Sequence, residues 1–198
     1  MRLILASTSR YRRELLARLG LPFECKSPGV DETPRDGEAP EALALRLARA
    51  KAAAVAATVD GPALVIGSDQ CLALDGHVLG KPGSVEAACA QLAASSGRRV
   101  RFLTAVAVRR TADGQELTHL DATEVEFREL DAATIGRYVE RERPLDCAGS
   151  FKSEGLGIAL FERIDSSDPT ALVGLPLIAT ARMLRALGLD PLAPRERD

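Results

Sequence analysis

A run of apolar residues at 63–66, Ala-Leu-Val-Ile, gives way to Gly67, Ser68, Asp69 and Gln70. That pattern predicts a buried strand whose end opens into a crevice. In open α/β sheets, ligands gather at such strand ends. Asp69 then either works on a polyphosphate there or caps the turn before the next strand, as Asp often does. Residues 2–6 predict a first strand, followed by the hydroxyl-rich turn Ser7-Thr8-Ser9. A helix follows, with Leu15, Leu16 and Leu19 on one side and Gly20 as its stop. Residues 21–26 predict a second strand. A helix beginning near Pro40 turns Leu43, Leu47 and Ala54 inward. Lys51 lies on the same stripe, so it either snorkels to solvent or points into a cleft.

Beyond Asp69, residues 71–74 and 77–80 flank Asp75-Gly76, a two-residue hairpin signal. Gly80-Lys81-Pro82 places a second lysine at the end of that hairpin. Ser84 caps the next helix, with Glu86 in its first turn. Residues 101–109 and 117–127 flank Asp113-Gly114 and predict a long antiparallel pair. Asp131 caps a helix carrying Ile135, Tyr138 and Val139. Residues 158–164 predict one more strand. Gly174-Leu175-Pro176 opens a final helix closed by Gly188, and the tail past Asp190 is expected to fray. No internal repeat and no linker long enough to separate domains interrupts residues 1–198, which read as one α/β domain or two small lobes sharing a core.

Composition narrows the function classes. The chain has 198 residues, 46% of them hydrophobic and 27% charged, which suits a folded globular protein. The net charge of -2 argues against a nucleic acid polymer as partner, so any anion site is built locally. Aromatics make up 4% and there is no Trp, which argues against base-stacking platforms. Cys25, Cys71, Cys89 and Cys147 form no CxxC pair and are read as reduced, mostly buried thiols in a cytoplasmic protein. No run is long enough to span a membrane, and the apolar start is too short for a signal peptide. His77 and His119 fall in predicted hairpin strands and are read as surface residues. There is no Walker A and no GxGxxG motif.

The first helix breaks a local rule. Its opening turn carries Arg10, Arg12 and Arg13, although a helix N-terminus favours acids by about 0.3–1 kcal/mol each. The cluster is either a solvated basic face or, with Ser7 and Ser9, a phosphate cradle. Asp31-Glu32 in a loop is a candidate ligand pair for a hard cation.

Leu5-Ala6-Ser7-Thr8-Ser9, Arg12-Arg13-Glu14-Leu15-Leu16, Asp31-Glu32 and residues 46–52 (Arg-Leu-Ala-Arg-Ala-Lys-Ala) occur in that order. They are followed by Gly67-Ser68-Asp69, Gly80-Lys81-Pro82, Ala148-Gly149-Ser150 and Val173-Gly174-Leu175-Pro176-Leu177. Together they closely resemble the Maf-like nucleoside triphosphate pyrophosphatases over nearly the whole chain. The resemblance implies an elongated mixed, twisted β-sheet with flanking helices and two lobes around a central cleft. It implies hydrolysis of a nucleoside triphosphate to monophosphate and pyrophosphate with a divalent metal cation (Mg, Mn or Co). Asp69 matches the proposed proton acceptor, and Ser9, Arg12, Glu32, Lys51 and Lys81 match polar positions of the cleft. On that footing, Glu32 and Asp69 are the expected metal ligands. Ser7, Ser9, Arg12, Lys51 and Lys81 are the expected phosphate contacts. The family is often dimeric, so a homodimer is a further expectation.

One branch of the family takes dTTP and UTP and reads Ser-Pro-Arg-Arg after the first strand, Asp-Thr at the acid and Gln in the later loop. This chain instead has Ser9-Arg10-Tyr11-Arg12, Asp69-Gln70 and residues 151–154 reading Phe-Lys-Ser-Glu. Those departures resemble the branch acting on 7-methyl-GTP. The chemistry agrees, because N7-methylguanine is cationic. Tyr11 can stack on it for about 0.5–2 kcal/mol. Glu154 can accept from its N1–H and amine, and Gln70 can add an amide contact beside the reacting phosphate. The alternatives are a dTTP/UTP pyrophosphatase of the same family and a non-catalytic regulator of septum formation and cell division.

Overall fold

A computed structural model describes residues 1–193; the His77 side chain also lies outside the described residues, as does most of the tail expected to fray. One mixed sheet carries seven strands: β1 (Arg2–Leu5), β2 (Glu24–Cys25), β3 (Ala63–Leu74), β4 (His77–Leu79), β5 (Arg99–Arg110), β6 (Glu116–Phe127) and β7 (Phe161–Asp165). Their order is β2-β1-β3-β5-β6-β7, with β4 also on β3. β2, β1 and β3 run parallel, and the remaining pairs are antiparallel. Among the described residues five α-helices flank the sheet: α1 (Arg10–Ala17), α2 (Pro40–Ala56), α3 (Val85–Ser95), α4 (Ala132–Glu142) and α5 (Leu177–Ala186). Among the described residues no helix is long and apolar enough to cross a membrane.

β3 is the spine. It does not end at Asp69, as its apolar pattern predicts, but runs twelve residues in all, from Ala63 to Leu74. β5 pairs with it without interruption from Leu64 to Ala73. The other edge is different. β1 lies alongside only as far as Ile66, and β4 begins only at Leu72. The crevice opens in that gap, beside the middle of a strand and not past its end.

The two faces of β3 do different work, because side chains alternate along a strand. Leu64 and Ile66 join one buried cluster with Leu5, Leu15, Leu16 and Leu184. Leu72 and Leu74 join a second with Phe102, Phe127 and Tyr138. Between them on this face stand Ser68 and Gln70, so a polar seam separates the two cores. These cores are the two lobes. The opposite face packs against α2, whose Ala44, Ala48 and Ala52 meet Cys71, Ala105 and Ala107.

That approach depends on Gly67. A Cβ there would overlap the Ala48 carbonyl oxygen and lie 2.6 Å from the Ala52 nitrogen. Glycine is therefore required by proximity, not by its dihedral angles.

Helix caps follow the sequence closely: Ser9, Ser84 and Asp131 each accept a backbone N–H from the first turn they precede. Two edge segments differ from expectation. Only residues 24–25 of the second predicted strand pair, since Pro22 lacks a donor and β2 has a single neighbour. Residues 156–160 form a 3-10 turn, and strand β7 starts at Phe161. Gly157 makes that turn possible by packing against the Lys152 backbone, where a Cβ would collide.

Gly67→Ala is expected to destabilise the fold by about 1–3 kcal/mol through overpacking. Denaturant unfolding measures it, and a variant as stable as the parent would show that α2 need not lie so close.

Candidate active site

The gap in the β3 edge is the wall of a cleft of about 780 Å³. Asp69 sits at its middle, on the face that carries α2, and is 7% exposed. Lys51 comes from α2 one helical turn after Leu47 and is 4% exposed. It does not snorkel outward. Its Nζ donates to Asp69 Oδ1 at 2.6 Å and pairs with Glu32 Oε1 at 2.6 Å. One ammonium therefore bridges the two carboxylates. A buried charge is costly unless paired, and this one is paired twice.

Glu32 arrives from the loop between β2 and α2. Partial burial opposes its ionisation, but the Lys51 hydrogen bond and charge, with Lys81 and Arg12 behind them, hold its carboxyl below the ordinary range. The same loop is clamped to α2 by Arg46. Its Nε and Nη2 grip Glu38 at 2.6 and 2.7 Å, and Nη2 also donates to the Thr33 carbonyl. This bidentate pair holds Glu38 down at about 2.

Arg12 enters from the first turn of α1. Its Nε donates to the Gly174 carbonyl at 2.9 Å. Desolvation lowers the pKa of the guanidinium, opposed by the charges of Asp69 and Glu32. Of the three arginines that begin the helix, Arg12 and Arg10 line the cleft. Arg10 lies 4.8 Å from the centroid of the Tyr11 ring, a cation–π contact, and both Arg10 and Arg13 are exposed. The cradle is thus narrower than the charge run suggests. Ser7 and Ser9 line it with hydroxyls that already accept backbone N–H groups, Ser7 from Ser9 and Ser9 from Arg12. Lys81 stands exposed at the end of β4 across the cleft.

The far end is less charged. Tyr11, Asp146, Cys147, Phe151 and Glu154 line it. Burial, then Cys147 and Asp146, push the Tyr11 phenol up to about 12. Burial followed by Asp146 also pushes the Cys147 thiol up to about 12, so it stays protonated and is no nucleophile. Glu154 is exposed at the rim. Its loop is anchored by Phe151, which packs edge-on against Phe102 and Phe127. All four cysteines are free, but only Cys71 is fully buried; Cys25 is exposed and the other two are partly covered. His119 is half-buried in β6.

Gln70 lines the cleft beside Asp69 and is half-buried there. Its side-chain nitrogen faces the seam and donates to Thr104 Oγ1 and to the carbonyls of Ala171 and Leu172. Sequence reasoning gave no role to Ser68, Asp146, Cys147 or the Gly174 carbonyl. Ser68 lay inside a quoted motif, but nothing in one sequence says which backbone group its hydroxyl meets.

A mixed sheet that sets an acid against a buried lysine, within a cleft edged by arginine and a second lysine, defines an anion-handling α/β protein. The chain belongs to the Maf-like protein family, whose model matches residues 2–187. It is similar to a 7-methyl-GTP pyrophosphatase from Xanthomonas oryzae pv. oryzae, 62% identical over 187 residues, covering 94% of this chain and 97% of the relative. It is also similar to a 7-methyl-GTP pyrophosphatase from Burkholderia lata, 59% identical over 187 residues, covering 93% and 89%. A solved nucleoside-triphosphatase (dITP/XTP pyrophosphatase) from Mycobacterium abscessus aligns at 19% identity with a TM-score of 0.44, covering 94% of this chain and 97% of that one.

The Glu38–Arg46 clamp has a pH signature. Because the folded carboxyl sits at about 2 against an ordinary 4.5, its contribution is complete above about pH 4.5 and is lost as pH falls toward 2. Glu38→Gln is expected to melt earlier at neutral pH and to show a smaller further loss across that acid window. Identical acid profiles for parent and variant would remove the clamp from the stability of this loop.

Proposed function

We propose that this chain hydrolyses 7-methyl-GTP to 7-methyl-GMP and pyrophosphate, acting as one unit over its length. The observation that carries the reading is the convergence of Asp69 and Glu32 on Lys51, opposite Arg12 and Lys81, in one cleft. The printed names of relatives at 59% and 62% identity support the substrate. A cleft of about 780 Å³ is roomy enough for a nucleotide.

In this reading water attacks the α-phosphorus in line and pyrophosphate leaves, a reaction that needs positioning and charge stabilisation above all. Asp69 orients the water and takes its proton. Arg12, Lys51 and Lys81 stabilise charge on the phosphates and on the departing pyrophosphate. Ser7 and Ser9 line the same wall and steer phosphate oxygens.

A divalent cation suits this donor set. Asp69 and Glu32 each keep a second carboxylate oxygen beyond the one paired with Lys51. Among the described residues no cluster of three or more His, Cys, Asp or Glu stands ready to hold an ion alone. Magnesium-type ions are held by one or two carboxylates and complete their shell with water and substrate phosphates. Such an ion, when bound, neutralises phosphate charge and lowers the pKa of water.

Tyr11 offers a ring to the cationic base, for about 0.5–2 kcal/mol. Arg10 covers one side of that ring, so the base uses the other. Glu154 at the rim accepts from the two guanine donors.

Three measurements test the reading. Hydrolysis in oxygen-18 water is expected to label the nucleoside monophosphate; label in pyrophosphate excludes attack at the α-phosphorus. Asp69→Asn is expected to fold and to lose at least about a hundredfold in kcat, and near-parental turnover would remove Asp69 from the chemistry. In a panel of 7-methyl-GTP, GTP, dTTP and UTP, 7-methyl-GTP is expected to give the highest kcat/KM. Tyr11→Leu should narrow its lead over GTP, and preference for a pyrimidine nucleotide would overturn the assignment.

A further inference from the structure

The Gly174 carbonyl accepts two hydrogen bonds. One comes from Arg12 Nε at 2.9 Å, and the other from Ser68 Oγ at 3.0 Å. Ser68 is completely buried. It precedes Asp69 by one residue, so its side chain leaves the opposite face of β3. The hydroxyl thus lies behind the sheet from the acid, in the seam between the two cores.

The turn it holds is short and polar-backed. Gln70 donates to the carbonyls of Ala171 and Leu172, and Thr104 Oγ1 donates to that of Ala171. Those bonds fix the start of the turn, and Ser68 fixes its end. Gly174 has φ 123° and ψ 6°, a conformation few side chains tolerate. A Cβ there would stand 3.7 Å from Arg12 Nε. The carbonyl is therefore presented directly to the guanidinium.

The guanidinium needs such a stop. Arginine has a long side chain with many rotamers, and its value at a phosphate comes from the fixed plane of its donors. Among the described residues, Gly174 is the one hydrogen-bond acceptor for Arg12, and it takes Nε. The terminal nitrogens remain to meet an anion.

We propose that Ser68 is a positioning residue for Arg12, acting through the Gly174 carbonyl. β3 then sets both partners of the reaction: the acid directly on one face, and the cation through one carbonyl on the other. The inference rests on the role given to Arg12 in the proposed function, but not on the identity of the base.

A double-mutant cycle tests it. Ser68→Ala is expected to lower kcat/KM about tenfold, mainly through kcat, with little change in melting temperature. In an Arg12→Ala background the same substitution should cost nothing further. Additive losses, or no loss from Ser68→Ala alone, would overturn the inference. If Ser68→Ala fails to fold, Ser68→Cys keeps the volume with a weaker donor, and the same cycle applies. Calorimetric binding of inorganic tripolyphosphate separates this inference from the nucleotide assignment. Non-additive weakening by Ser68→Ala and Arg12→Ala sustains it even if 7-methyl-GTP is not the substrate. Additive weakening sinks it even if 7-methyl-GTP is turned over.

Discussion

One ammonium between two carboxylates governs the centre of this molecule. Lys51 is almost fully buried, and its two 2.6 Å partners come from a strand and from a loop. A lone charge at that depth would be expelled or neutralised. The pairing lets a lysine stay on an otherwise apolar helix stripe, and it ties the Glu32 loop to the sheet. It also leaves two carboxylates sharing one cation before any anion enters. In the proposed function an entering triphosphate competes with Asp69 and Glu32 for the cations, so positive groups are available without a large free-standing field.

The helix that carries Lys51 can lie close enough only because small residues line the contact. Ala44, Ala48 and Ala52 face Gly67, Cys71, Ala105 and Ala107. The alanines repeat every four residues, one turn apart, and the strand residues alternate. Close packing and the acid–lysine pair are one arrangement: widening the first lengthens the second.

Much of this was legible in the chain. The caps at Ser84 and Asp131, the Asp75-Gly76 hairpin and the inward Leu43 and Leu47 of α2 follow from local rules and appear where those rules put them, whereas Ala54 is only half-buried and Ala52 and Val55 face inward in its place. Asp69, Lys51 and Arg12 stand out because charges break an apolar or dipolar pattern, and Glu32 because two acids adjoin in a loop; the fold brings all four to one cleft. The strand end was not legible, because Gly67 and Ser68 look like a terminus when only composition is visible. Their reasons are non-local: Gly67 yields to a helix and Ser68 reaches a carbonyl over a hundred residues away. Gln70 lines the same cleft, and its amide contacts with the carbonyls of Ala171 and Leu172 are equally non-local.

Since β3 and β5 run through both lobes with ten consecutive residue pairs in register, the lobes share one stiff girder. Swinging one against the other would shear that ladder, so ten residue pairs oppose motion at the waist. Ser68, Asp69 and Gln70 stand midway along the girder, so their spacing to both cores is set by the same run of backbone bonds.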